Sequence, residues 1–554
     1  MASHPLTDTD TGRAPRWPSI WTFSALLIAL PVAVPIIAVL LTFAAPASDV
    51  WQHLRDNVLL EYVVNTLLLL IWVAVVTAVI GVSCAWLVAN REFPGRGVFA
   101  WLLILPFAAP AYVVAYAYAD MLAYTSPLQS WLRETGLLAS GLPSIRSLPG
   151  AGLVLGFTLY PYVYLFSYNA FAEQARPLAE AARTLGASGG RAFRSIALPH
   201  ARPAIAGGLA LALMEAAADF GVVDFFGVPT LTNGIFRTWY AQGEQQAAMQ
   251  LAGCLFLIVA VLVIFEQLAR RGLHANPVSR NQPPPREPLS GWQAVAATLF
   301  CLLPVGFGLL LPGAVLLHHA VDTGDPLFGR SFLTFASNSV TVGTLAAALT
   351  AGCALWLNYA TRMEPGARAL RIGVRTATLG YALPGMVLAV GLIGPLTSLD
   401  RALAGWLEST FEVRTGLVLT GSVAALIFVY FARFLTVAFN SLEGGLARIH
   451  PNYDGAARML GARPGKLLAR VHLPLLTPAL LTALLLVFVD VIKELPATLI
   501  LRPFNFETLA TRAYRLASDE RIAEASTASL AILLVGLIPV LLLAWQNFGA
   551  RRQA

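Results

Sequence analysis

Long apolar segments are the feature that most constrains the fold of this chain. A helix crosses the hydrocarbon core of a bilayer with roughly 20 apolar residues, and the sequence contains twelve runs of about that length. They lie near 20–44, 60–89, 98–121, 150–172, 203–226, 247–269, 293–318, 335–360, 373–397, 417–440, 477–500 and 527–548. Lipid offers the backbone no hydrogen-bond partner, so such runs must be helical. The sequence therefore predicts an all-α polytopic membrane protein with both termini on one side.

Composition excludes the main soluble alternatives. Charged residues make up 12% of the 554 positions and hydrophobic residues 57%, whereas a soluble domain is about 25% charged. The net charge of +7 comes mainly from Arg in short loops, which is typical of membrane orientation and predicts no nucleic-acid partner. The four cysteines each lie alone in an apolar run and are interpreted as packing residues: Cys84, Cys254, Cys301 and Cys353.

The distribution of Lys and Arg predicts the orientation. Of these residues, 24 lie in segments on one side of the predicted spans and 11 on the other, and the richer side is normally cytoplasmic. The first apolar run exceeds the 7–15 residues of a signal-peptide core and is expected to be retained. The predicted division is a cytoplasmic tail at 1–19, a first half at 20–270, a proline-rich cytoplasmic linker at 271–292, a second half at 293–548 and a cytoplasmic tail at 549–554.

One basic loop sequence occurs once in each half. The first copy consists of Glu180, Ala181, Ala182, Gly186, Ile196, Leu198 and Pro199. The second copy, 275 residues later, consists of Gly455, Ala456, Ala457, Gly461, Val471, Leu473 and Pro474. The same offset pairs Arg237 with Arg512 and Glu244 with Asp519. Six spans per half give both halves one orientation, which predicts a pseudo-twofold axis along the membrane normal and a shared pathway at the interface.

The loop is expected to form a short helix, a tight turn and a second helix. Glu-Ala-Ala-Arg favours a helix, glycine permits the turn, and Leu-Pro is expected to break the helix before the next span. The small residues would let another protein approach closely. A merely basic loop would explain the charge but not the repetition.

This motif resembles the coupling loop of permease subunits in bacterial ATP-binding-cassette importers. A fused permease with two such loops is similar to the ferric-iron branch in particular, and the similarity includes 213–221 and 488–510. The resemblance implies a type I importer permease fold with coupling loops at 174–202 and 442–476. It also implies that each loop fits a groove on a cytoplasmic ATPase, of which two copies are expected, and that a periplasmic or extracellular solute-binding protein delivers the cargo.

The second copy departs from the motif at one position. It has Gly455 where the motif has Glu, and Asp454 stands one position earlier. Inserting one residue would align Asp454 with Glu180. The second loop is therefore expected to dock differently from the first.

No ATPase is predicted within the chain. The nearest string to a phosphate-binding loop runs from Gly461 to Leu467, with three residues between its glycines and Leu where Ser or Thr would bind magnesium. A phosphate-binding loop has four residues there and a hydroxyl after the Lys. The chain is thus predicted to be no enzyme and to bind no cofactor, with ATP and Mg used by the partner ATPase.

Ionisable residues inside two predicted spans are the pathway candidates. They are Glu215, Asp219 and Asp224 in the first half and Asp490, Lys493 and Glu494 in the second. The offset of 275 pairs two acids, Glu215 with Asp490 and Asp219 with Glu494, and the spacing of Glu215 and Asp219 predicts one helical face. An acidic lining or gate for a cation is one interpretation. Structural ion pairs, with Lys493 bound to Asp490 or Glu494, are the other, and both can hold.

The predicted function is that of an ATP-driven permease that performs no covalent chemistry. Ferric iron is preferred by resemblance, while thiamine, polyamine or another solute stays open. No dense metal-ligand cluster is apparent, so no metal site is predicted, and the segments 227–247 and 503–526 are candidate docks for the binding protein. The rivals are an ion-driven secondary transporter, which the doubled loop opposes, and a polytopic membrane enzyme, for which no catalytic arrangement appears.

Overall fold

The computed structural model describes residues 19–46, 48–138, 140–172, 193–271, 286–413 and 416–549. We call 19–271 the first half and 286–549 the second half. The helices of the first half are α1 Ile20–Leu41, α2 Asp49–Asn57, α3 Leu59–Asn90, α4 Arg96–Leu102, α5 Ala111–Met121, α6 Pro127–Glu134, α7 Leu148–Ala172, α8 Leu198–Ala218, α9 Gly221–Phe225, α10 Leu231–Tyr240 and α11 Gln245–Arg271. Those of the second half are α12 Trp292–Val305, α13 Leu311–Asp322, α14 Arg330–Met363, α15 Arg368–Ala377, α16 Gly385–Phe411, α17 Val423–Ala447, α18 Asn452–Met459, α19 Pro464–Leu467, α20 Leu473–Ile492, α21 Pro496–Leu501, α22 Leu509–Ser518 and α23 Ile522–Gly549.

The predicted all-helical, polytopic architecture is confirmed. Within the described residues, eleven helices are long and apolar enough to cross a membrane, or twelve if the bent pair 96–108 and 111–121 forms one span. That pair bends by 89° just before α5, at Pro110, which has no N–H to continue the helix. In the second half the predicted run 373–397 is divided in the same way before α16, at Pro384, and α16 then continues to Phe411.

The runs predicted at 203–226 and 477–500 are not single helices. The long helix α8 ends at Ala218 and α20 ends at Ile492, and each is followed by a short helix. Asp219 and Glu494 lie in these breaks, and Asp219 is the residue that ends α8. A carboxylate at the start of a helix satisfies N–H groups that have no partner within it, which stabilises the break.

Four side-chain hydrogen bonds repeat between the halves and fix the register of the repeat. Each joins a long span, α3 or α14, to the beginning of a short amphipathic helix. The pairs are Asn65 Nδ2 to Pro229 O (3.0 Å), Leu231 N to Thr66 Oγ1 (3.1 Å), Asn338 Nδ2 to Glu507 O (2.9 Å) and Leu509 N to Ser339 Oγ (2.8 Å). Helix α22 thus follows α10 by 278 residues, because its preceding connection is longer. The pairing of Arg237 with Arg512 and of Glu244 with Asp519 is therefore wrong.

The halves are interlocked because each sends its first span, α1 in the first half and α12 with α13 in the second, onto the other. Helix α1 packs against α15 and α16, and α13 packs against α5. Side chains also meet across the interface. His319 Nε2 lies 2.7 Å from Asp120 Oδ2. Cys84 and Cys301, one from each half, are both free and buried.

A second cross-half pair is held by an unusual backbone conformation. The Arg146 guanidinium donates to both carboxylate oxygens of Glu520, at 2.7 and 2.8 Å. Glu520 has φ +58°. Left-handed φ favours glycine, so the second half retains a strained residue where it bonds to the first.

One side of the molecule gathers the chain segments that the sequence assigns to the cytoplasm. Ser19, before α1, donates to Glu364, at the end of α14 (2.6 Å). Arg362, also at this end of α14, forms a salt bridge with Asp454 of α18. We call this the loop side. The described end of the linker pairs with the first half through two-residue parallel strands, β1 at Arg91–Glu92 and β2 at Glu287–Pro288.

Candidate functional site

The second repeated loop forms a short helix whose tip is exposed. Helix α18 spans Asn452–Met459, and the side chains of Met459 and Leu460 are 92% and 88% exposed. Gly461 follows at φ +77°, which confirms the predicted tight turn. Two large apolar side chains this exposed on a loop suit contact with another protein.

The first repeated loop falls mostly outside the described part of the chain. Glu180, Ala181, Ala182 and Gly186 lie there, and so does the side chain of Ile196. Leu198 and Pro199 begin α8 within the described residues.

Asp454 anchors the second loop to two other elements. Its Oδ2 accepts from Arg362 Nε at 2.7 Å, and its Oδ1 lies 2.8 Å from Nε2 of His472. Burial alone would raise the pKa of Asp454, but the hydrogen bonds from Arg362 and His472 outweigh it and lower the pKa. A carboxyl with a lowered pKa contributes stability at neutral pH that is lost only as the pH falls through that value. Asp454, which precedes the position where the motif has Glu, thus bonds within the permease, and its side chain is only 13% exposed.

Arg362 connects three helices at the loop side. Besides Asp454 it donates to the carbonyl oxygens of Leu446 and Ile449, each at 3.0 Å, at the end of α17. It therefore ties α14, α17 and α18 together. Residues of α14 lie 273 positions after their first-half equivalents, so Arg362 corresponds to Ala89. Residues of α20 lie 275 positions after theirs, so His472 corresponds to Ala197. The first half therefore cannot form this anchor with the same residues.

The Leu-Pro pairs do not break the helix, and the prediction that they would is wrong. The chain passes through a wide π-helical turn, Phe193–Ala197 or Leu468–His472, directly into α8 or α20. Pro199 and Pro474 lie within the first two residues of these helices. Proline lacks an N–H and crowds the preceding turn, and a π turn accommodates this without ending the helix. The second loop is therefore continuous with α20.

The far ends of α8 and α20 meet at a cavity between the halves. Its volume is about 130 Å³. Five of the six predicted pathway residues line it, namely Glu215, Asp219, Asp490, Lys493 and Glu494. The sixth, Asp224, is absent from the lining and instead accepts hydrogen bonds from Asn233 Nδ2 (2.6 Å) and Tyr514 Oη (2.7 Å).

Salt bridges hold the second-half wall of the cavity. Arg433 donates to Glu494 at 2.8 Å and lies 3.8 Å from Glu215, and Lys493 pairs with Asp490 at 2.8 Å. The predicted pairing of Lys493 with one of its neighbouring acids is therefore observed. The sequence analysis missed Arg433 as a site residue, although an Arg in the middle of the apolar run 417–440 was the available signal.

The Arg433–Glu494 pair is built into close packing. The side chain of Glu494 is 2% exposed, and its oxygens also accept the N–H groups of Ala497 and Thr498, each at 3.1 Å. A Cβ added at Gly385 would lie 2.5 Å from the Arg433 guanidinium and 2.6 Å from Glu494. Glycine at 385 is thus required for the close approach of α16.

Aromatic side chains cross the cavity from one half to the other. The hydroxyls of Tyr162 and Tyr381 lie 2.7 Å apart. The Lys493 ammonium lies 4.6 Å from the centre of the Phe107 ring, at a distance that allows a cation–π interaction. These contacts join the walls without any covalent link, so they can break when the halves separate.

The two walls differ in charge. The acids repeat at equivalent positions, whereas the offset of 275 pairs Arg433 with Thr158 and Lys493 with Ala218. Both cations of the lining come from the second half, and four carboxylates surround them. Within the described residues no group of three or more His, Cys, Asp or Glu side chains is arranged to hold a metal ion.

Comparison with known proteins identifies the family. The model of the family described as "Binding-protein-dependent transport system inner membrane component" matches residues 78–270 and 339–552, once in each half. An Fe(3+)-transport system permease protein, FbpB 2, of Haemophilus influenzae is 26% identical over 541 residues, which is 96% of this chain and 99% of the relative.

Two shorter relatives match part of the chain. The sulfate transport system permease protein CysW of Escherichia coli is 33% identical over 36% of this chain and 67% of its own length. The molybdate/tungstate transport system permease protein WtpB of Thermococcus kodakarensis is 30% identical over 37% of this chain and 76% of its own length.

The duplicated family match and the apolar helices agree with the repeat seen in the structure. They describe a multi-pass inner-membrane transport protein, not an enzyme, that works with a solute-binding protein and an ATPase. The chain belongs to the family of binding-protein-dependent transport system inner membrane components, as a fused permease of a type I ATP-binding-cassette importer.

Proposed function

We propose that this permease carries ferric iron, delivered by an external binding protein, across the inner membrane. The observation that carries the proposal is the match over 96% of the chain to an Fe(3+) permease that has the same fused organisation. The sulfate and molybdate/tungstate permeases match only about a third of the chain.

The cavity charges support a cation over an oxyanion. Four carboxylates line it, and its two cations are engaged with Glu494 and Asp490. A lining of this sign attracts cations and repels a doubly charged anion such as sulfate. Carboxylate and tyrosine oxygens are also suitable ligands for a hard cation.

The second loop and the cavity are mechanically connected. Helix α20 has 20 residues and is therefore about 30 Å long, with the loop at one end and Asp490 near the other. Asp454 binds Arg362 at the loop, and Glu494 binds Arg433 beyond the far end of α20. A displacement of the loop by an ATPase would move α20 as a rigid element and shift the packing of the cavity wall between two arrangements.

The partners and orientation complete the proposal. Two copies of one cytoplasmic ATPase dock on the repeated loops and use ATP and Mg, while this chain binds no cofactor of its own. Both termini, the linker and the loop side face the cytoplasm, which the excess of Lys and Arg on that side supports. The first loop docks through Glu180 to Gly186, and the second docks differently because Asp454 is engaged internally.

The cargo is tested by asking which loaded binding protein stimulates ATP hydrolysis by the reconstituted permease–ATPase complex. Binding proteins loaded with ferric iron, sulfate, thiamine or a polyamine are added separately. We expect stimulation by the iron-loaded protein alone. Stimulation by one of the others and none by iron would overturn the assignment of ferric iron while leaving the permease role intact.

A further inference from the structure

Among the described residues, the first-half wall of the cavity contains one carboxylate without a counterion and one hydroxyl without a hydrogen-bond partner. We propose that Asp219 and Tyr112 form a transient binding station for a hard, oxygen-preferring cation, which is ferric iron if the proposed function holds. Asp219 follows α8, and Tyr112 is on α5. Both line the cavity.

Asp219 differs from its counterpart in having no cationic partner. Its Oδ1 accepts the N–H of Val222 at 3.0 Å, just as Glu494 accepts the N–H of Ala497. Glu494 also binds Arg433, but no Arg, Lys or His of the described residues forms a salt bridge with Asp219. A carboxylate at a cavity wall without a counterion attracts a mobile cation.

Tyr112 supplies an independent observation. Tyr112 is 4% exposed, and its buried hydroxyl has no hydrogen-bond partner among the described residues. Leaving a buried hydroxyl without a hydrogen-bond partner is unfavourable, so a ligand that accepts or replaces its proton would remove that cost. Tyr112, Asp219 and Glu494 all line the same cavity. Pro110 and Pro384 are equivalent at an offset of 274, and the same offset makes Met386 the second-half equivalent of Tyr112.

The oxygen ligands of Asp219 and Tyr112 suit a site that a cation passes through rather than one that retains it. Carboxylate and phenol oxygens are hard ligands that suit a trivalent cation. Glu215, whose carboxylate lies 3.8 Å from Arg433, can supply a third oxygen. Passage requires binding that is weak enough for release, and the described residues contain no denser group of ligands that would retain a metal.

The test compares two tyrosines on the same helix. Tyr116 is fully buried and its hydroxyl also lacks a partner within the described part of the chain, but it does not line the cavity. The purified full-length permease in lipid nanodiscs, assembled with its ATPase, is titrated with Fe(3+) supplied as its nitrilotriacetate complex. A phenolate bound to Fe(3+) gives a visible charge-transfer absorption, and its phenol proton is released on binding.

We expect the absorption in the wild type and in Tyr116→Phe, its loss in Tyr112→Phe, and an affinity for iron reduced about tenfold in Asp219→Asn, equivalent to 1.4 kcal/mol. A band that persists in Tyr112→Phe, or its absence from the wild type, overturns the station. The same wild-type preparation is assayed for ATPase stimulation by the iron-loaded binding protein. If the iron-loaded binding protein stimulates ATP hydrolysis but the absorption band is absent, the station is refuted and ferric iron remains the proposed cargo. If ATP hydrolysis is not stimulated, ferric iron is refuted as the cargo.

Discussion

Replacing Arg433 with Ala is expected to abolish transport and to destabilise the permease by about 3 kcal/mol or more, because a buried partner is left without its counterion. The Glu494 side chain is 2% exposed, so its charge depends on the guanidinium rather than on bulk solvent. Glu215 would lose its nearby cation as well. The measurements are thermal unfolding of the purified protein in detergent and ATP-driven uptake in proteoliposomes.

The matched control for this variant lies in the first half. Thr158 occupies the position equivalent to Arg433 and is also buried. Within the described residues its hydroxyl bonds only to carbonyls of its own helix. Thr158→Ala should therefore leave stability and uptake close to wild type. The double variant Arg433→Met with Glu494→Gln removes both charges and should recover much of the stability but not the uptake. Wild-type stability and uptake in Arg433→Ala would contradict this role of the pair.

Replacing Asp454 with Asn is expected to lower uptake about tenfold, equivalent to 1.4 kcal/mol, while the protein still inserts and binds the ATPase. The change removes the charge that holds Arg362 and His472. Helix α18 can then move without carrying α14 and α20 with it. ATP hydrolysis should continue, so the diagnostic quantity is the number of cargo ions moved per ATP hydrolysed.

Glu443→Gln is the control for the loss of a carboxylate near the same loop. Glu443 is exposed on α17 and forms no salt bridge within the described residues. The Glu443→Gln variant should transport like the wild type. If Asp454→Asn keeps the wild-type ratio of cargo to ATP, the anchor does not transmit movement from the loop to the cavity.

The helical architecture and the repeat could be predicted because they depend on local sequence. Twenty apolar residues have few alternatives to a membrane helix, and the loop motif repeats at a fixed offset. The register beyond α20 could not be predicted from that offset, because three extra residues before α22 leave no periodic signal. The bonds of Asn65 and Asn338 show the shift directly.

The acidic residues of the cavity could be predicted from the sequence, but the residues that bond to them could not. Glu215, Asp219, Asp490 and Glu494 are conspicuous because carboxylates are rare in apolar runs. Arg433 and Tyr112 lie far from them in the chain, and only the tertiary packing shows that they share one cavity. Asp454 looked like a displaced motif residue, and its actual partners, Arg362 and His472, lie on other elements.

Identifying the energy source of uptake is the most direct test of the proposal that this chain is an ATP-driven permease. The purified permease is reconstituted in proteoliposomes with and without its ATPase, and uptake of radioactive ferric iron from the loaded binding protein is measured. We predict uptake only when the ATPase, ATP and the binding protein are all present, and none from an imposed proton or sodium gradient. Gradient-driven uptake by the chain alone would contradict an ATP-driven permease and favour a secondary transporter.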